Sequence, residues 1–112
     1  MEGKVIIKVE DVTPEQLKAW KDEFKEVKKI TVTTKGGKKI PFILGRPTRD
    51  ILDIYALKIE KDENKAARGV LQVNCILAGD TTLFAEDVNL ESTVMKKITG
   101  MLGALDAVEE EL

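Results

Sequence analysis

Histidine is absent from this sequence of 112 residues, and cysteine and serine occur once each, at Cys75 and Ser92. Without an imidazole, a serine or cysteine nucleophile has no partner to take its proton, which removes the commonest acyl-transfer chemistry. Ser92 also lacks the G-x-S-x-G surroundings of a nucleophile elbow. One thiol and no imidazole leave mainly carboxylates for a metal. The acidic pairs Asp62-Glu63 and Glu86-Asp87 do not alternate around a central glycine as a calcium loop requires. They stand where helices are expected to begin, and acids there favour the positive end of the helix dipole. No cofactor, metal or catalytic residue is assigned, and the chain reads as non-enzymatic.

Cys75 has no partner for an intrachain bridge. Its apolar setting, Val73-Asn74-Cys75-Ile76-Leu77, reads as a buried reduced thiol and suits an intracellular, cytoplasmic location. No apolar run reaches membrane-spanning length. Val5-Ile6-Ile7, flanked by Lys4 and Lys8, is too short for a signal peptide, so no membrane association is expected. Aromatics are only 4% of residues, which leaves Ile, Leu and Val to build the core. With 43% hydrophobic residues and a net charge of -2, folding is favoured over disorder. The length suits a single domain, 1–112, with an N-terminal α/β part over about 1–45 and a helical part over about 46–112.

Charge is unevenly placed. Residues 1–49 hold 12 Lys and Arg against 7 Asp and Glu, whereas residues 50–112 hold 6 against 13. The basic residues are interleaved with acids, as in Lys21-Asp22-Glu23, and the patterns of common RNA-binding modules are missing, so no nucleic-acid partner is expected. The asymmetry suits a solvated surface with some head-to-tail self-attraction, hence a homo-oligomer as one option.

Local signals outline an α+β fold: an N-terminal strand, a helix and a β-hairpin, then a three-helix C-terminal half. Val5 to Val9 reads as a short strand. Thr13, Pro14 and Gln16 form a capping box with proline at the first helical position, and Val12 and Leu17 are placed for a hydrophobic staple. Leu17, Trp20, Phe24 and Val27 then form one apolar stripe. Ile30 to Thr34 and Lys39 to Leu44 flank Gly36-Gly37 as a hairpin. A three-residue loop, Lys35 to Gly37, sets Val32 opposite Ile40 and Ile30 opposite Phe42. A two-residue loop would oppose apolar residues to threonines, so the longer loop is favoured, with Gly37 left-handed. Pro41 makes the second strand an edge, or stands at an unpaired position. The glycine pair lacks the spacing and following helix of a phosphate loop.

A second helix starts near Thr48, with Ile51, Leu52, Tyr55 and Ile59 as apolar positions. Arg46 and Arg49 are expected to pair with Asp50 or Asp53. Asp62 is expected to cap a third helix from about Glu63 to Leu77, apolar nearly all round and therefore central, with Gly79 as its terminator. The loop over 79–88 carries Leu83 and Phe84. A last helix begins near Asp87 or Asn89 and bears the stripe Val94, Ile98, Met101, Leu102 and Leu105.

Three segments carry a family resemblance: Phe42-Ile43-Leu44-Gly45-Arg46-Pro47-Thr48-Arg49, then Val73-Asn74-Cys75-Ile76-Leu77-Ala78-Gly79-Asp80, then Asn89 to Leu105. In this order they resemble the tail assembly chaperones of tailed bacteriophages and prophages, over about two thirds of the chain. The resemblance implies a non-enzymatic protein that binds a tape measure or tail tube protein during tail assembly in the host cytoplasm. Such a protein needs exposed apolar surface that suits amphipathic helices. Leu83, Phe84, Met101, Leu102 and Leu105 are the candidate partner-binding residues, each with ordinary core packing as its alternative. The other functional expectation is a self-assembling structural component of the tail or head–tail junction.

Overall fold

The computed structural model describes residues 7–102 and 111. A 3₁₀ turn at Val9–Asp11 leads into helix α1 (Pro14–Phe24), strands β1 (Val27–Thr33) and β2 (Lys39–Gly45), and helices α2 (Arg49–Glu60) and α3 (Asn64–Cys75). Strand β3 (Ile76–Ala78), a second 3₁₀ turn (Thr81–Ala85) and helix α4 (Val88–Gly100) complete the chain. The fold is α+β, with one antiparallel sheet in the order β1-β2-β3.

Short-range chemistry sets most boundaries. The Thr13 hydroxyl accepts from the backbone N–H of Gln16, and the Gln16 side chain accepts from that of Thr13, so α1 opens with a complete capping box. The helix stops at Phe24 because Lys25 adopts φ +62°, and Val27, expected on the helical stripe, opens β1 instead. The hairpin has the expected register, Ile30 opposite Phe42 and Val32 opposite Ile40. Gly37 N–H donates to Thr34 and Thr34 N–H to Lys38, which closes the three-residue loop with Gly37 at φ +84°. Thr48 and Asp87 accept from the amides of Ile51 and Leu90 and so start α2 and α4.

Four expectations need correction. Val5 and Ile6 of the expected N-terminal strand lie outside the described residues, and Val9 belongs to a 3₁₀ turn. Helix α3 ends at Cys75, and Ile76–Ala78 pairs with β2 at Ile43 and Leu44. A short buried Ile-Leu-Ala run is equally compatible with a helix end and a strand, and the open side of β2 decides between them. Strand β2 is therefore central rather than an edge, although at Pro41 only β1 lies alongside. Asp62 does not cap α3: it takes φ +60° in the turn, and Glu63 precedes the helix without a side-chain cap bond.

The sheet is covered on both faces. Ile40, Phe42 and Leu44 pack with Leu71 and Cys75 of α3 and with Leu90, Val94 and Ile98 of α4. On the other face Ile43 packs with Phe24, and Trp20 of α1 and Ile51 of α2 lie against that cluster. Both clusters draw residues from both halves of the chain. The face of α3 that reaches the core is narrow, being Ala67, Leu71 and Cys75 at helical spacing, while Ala66, Val73 and Asn74 are exposed. Gly69 sits in mid-helix, and a Cβ added there would meet nothing within 4 Å. Gly69→Ala should therefore raise stability by about 0.5–1 kcal/mol, read as a higher urea midpoint at unchanged slope.

Candidate functional site

Helix α2 holds the most unusual surface. Its sequence places Ile51, Leu52, Ile54, Tyr55, Leu57 and Ile59 within nine positions, too many for one core-facing stripe. Ile51 and Tyr55, four residues apart, point inward and are half-buried against the core. Not one residue of α2 is fully buried, and the helix packs chiefly on α3. Ile54 and Leu57, three apart and so on one flank, remain 48% and 47% exposed. Ile59 is 41% exposed, and Val73 on α3 is 56% exposed.

Single exposed aliphatic residues are ordinary on any protein surface. Here four of the five large hydrophobic residues with high exposure among the described residues fall on the α2–α3 pair, and this concentration makes the pair a docking candidate. Asp50 and Lys61, both exposed, stand at either end of the Ile54–Leu57 flank by helical spacing. An ion pair between Lys58 and Glu63, at 3.6 Å, ties the end of α2 to the start of α3.

The candidates named from sequence are dispersed. Phe84 is buried in the main core, its ring tilted on Phe42 with centroids 5.7 Å apart. Met101 is also buried there, at the base of α4 and the sheet. Core positions offer a partner little area, so these two side chains serve packing first. Leu83 is half-buried in a cleft of about 430 Å³ between the hairpin tip and the start of α4. Leu102 is half-buried, and its carbonyl accepts from the Arg46 guanidinium at 3.4 Å. Leu105 lies outside the described residues. The structure thus does not gather these residues into one surface. Arg46 and Arg49 also depart from expectation, since among the described residues neither forms an ion pair with Asp50 or Asp53.

Ile54, Leu57 and Val73 were absent from the sequence-derived candidates. For Ile54 and Leu57 the signal was the width of the apolar arc on α2, which exceeds what one core contact can cover. Among the described residues no polar or charged side chain is fully buried, and no group of three or more Cys, Asp or Glu is placed to hold a metal. No described helix is long and apolar enough to cross a membrane. The chain matches no protein-family model, no curated protein and no solved structure.

Proposed function

We propose that this chain is a non-enzymatic binding protein whose α2–α3 pair takes up an amphipathic helix from a partner, and that the partner is a tape measure or tail tube protein of a phage tail. The observation that carries the reading is the exposed aliphatic set Ile54, Leu57, Ile59 and Val73 on two adjacent helices. A helix with apolar residues on its outer flank buries them when a second amphipathic helix lies alongside, at roughly 25 cal/mol per Å² of apolar area removed from water. The sequence resemblance to tail assembly chaperones supplies the partner class. Two of its segments coincide with structural junctions: Arg46-Pro47-Thr48-Arg49 opens α2, and Asn74 to Asp80 spans the passage from α3 through β3.

The test is co-expression of the tagged chain with fragments of a phage tape measure protein, followed by affinity purification and sizing. Co-purification at a defined ratio, with the free chain a monomer or dimer, supports the proposal. Rings or filaments formed by the chain alone would instead favour a structural tail or head–tail component, to which the charge asymmetry between the two halves also lends itself.

A further inference from the structure

We infer that β1 pairs with β1 of a second copy of this chain, antiparallel about a two-fold axis at Thr31, so that the two sheets join into one. β1 is the outer strand of the sheet. At the ends of its ladder with β2, Arg46 N–H donates to the Glu26 carbonyl and Thr34 N–H to that of Lys38. Bonded and non-bonded pairs alternate in an antiparallel ladder, so the even-numbered residues of β1 turn their amides and carbonyls toward β2. Lys29, Thr31 and Thr33 turn theirs outward. All three are exposed, and these outward groups meet no backbone partner among the described residues. Such a row is a template for another strand. The opposite edge is less open: β3 spans only Ile76–Ala78, and Gly79 beside it already donates to Ile7.

The residues of β1 select a second copy, and in one register. With Thr31 on the axis, Ile30 stands opposite Val32 of the second copy, and Val32 opposite its Ile30. Both side chains are half-buried against the main core at the rim of the sheet, and the pairing carries that apolar layer across the junction. Lys29 then faces Thr33. An axis at Lys29 would oppose that lysine to itself, one at Ile30 would set Lys28 against Val32, and one at Val32 would bring Lys29 to Lys35. Charge on α4 selects the antiparallel sense. Lys96 and Lys97 share a cleft with Lys28 at one end of β1, whereas Glu86 and Asp87 share one with Thr33 and Thr34 at the other, beside Lys35 and Lys38 of the hairpin tip. Antiparallel pairing sets the lysine end of each α4 toward the acidic end of the other, and parallel pairing would set lysine toward lysine. The junction is isologous and closes at a dimer. It uses no residue of α2 or α3, so this inference and the helix-docking proposal stand or fall separately.

Sedimentation velocity of the full chain at rising concentration should show a monomer–dimer equilibrium. Thr31→Pro removes an amide that β2 does not use, and an edge strand tolerates proline there. It should raise the dimer dissociation constant at least about tenfold with an unchanged circular dichroism spectrum. Single cysteines test the register without proline, Cys75 being buried. With the short thiol cross-linker dibromobimane, Thr31→Cys should link to its own copy. Thr33→Cys should link only when mixed with Lys29→Cys. Ile54→Glu with Leu57→Glu should leave the dimer intact. A chain that stays monomeric at every concentration, as it would if its own C-terminal residues covered β1, would overturn the inference. So would a dimer indifferent to Thr31→Pro, the absence of the Thr31→Cys link, or efficient linking of Thr33→Cys to itself.

Discussion

Ile54→Glu combined with Leu57→Glu should abolish partner capture while the folded chain melts within a few degrees of wild type. The stability half of this result follows from position. Both side chains are about half exposed, glutamate is a good helix former, and each new carboxylate would stand four residues before a lysine, Lys58 or Lys61. The binding half follows from the opposite environment in the complex. Each aliphatic side chain would contribute about 1 kcal/mol on burial, and a carboxylate in its place must be desolvated. Together these effects should cost about 3 kcal/mol or more, on the order of a 100-fold loss of affinity. Pull-down and calorimetric titration of the double variant provide the measurement. Undiminished binding would show that the α2 flank is not the docking surface.

Gly79→Ala should be the most damaging single-methyl change in the described residues, lowering stability by about 3–4 kcal/mol or preventing folding. Two independent costs add. Gly79 has φ +127°, a conformation that residues with a Cβ rarely adopt. An added methyl would also run into the Phe42 ring, which is fully buried in the main core with the tilted Phe84 ring against it, so it has little room to move. Gly79 is further held by the bond from its N–H to the Ile7 carbonyl at 2.8 Å, which fixes the passage from β3 to the following turn. Denaturant titration of Gly79→Ala beside Gly69→Ala makes an internal contrast: the same substitution should destabilise strongly at one site and stabilise at the other. A mild loss at Gly79 would mean that β3 readily shifts away from β2.

What the sequence revealed was local. The capping box at Thr13 to Gln16, the Thr48 cap and the hairpin register are decided within a few residues by side chains that satisfy nearby amides. The register in particular followed from asking which loop length opposes apolar residues, a question the chain answers without reference to anything distant. The elements that misled depend on distant partners. Ile76–Ala78 leaves the helix because Ile43 and Leu44 of β2 offer a strand to pair with. Asp62 has a suitable side chain for a cap, but the reversal between α2 and α3 places it in the left-handed region. The candidate surface shows the same division. Helical spacing puts Ile54 and Leu57 on one flank, yet only the tertiary arrangement tells that no other described element covers it. Phe84, judged from its loop position alone, gives no hint that Phe42 lies beneath it.

The burial of Cys75 turns the chain into its own reporter of opening. This thiol is the only one present and is wholly shielded between α3 and the sheet, so a thiol reagent must wait for that layer to separate. When reclosing outruns the chemistry, the labelling rate is the intrinsic thiol rate multiplied by the fraction of molecules open at any instant. With no second cysteine to confuse the signal, mass spectrometry after timed alkylation reads that fraction in undenatured protein. A partner seated on α2 and α3 should slow the labelling in proportion to its occupancy, giving a clock for complex formation that requires no tag or dye.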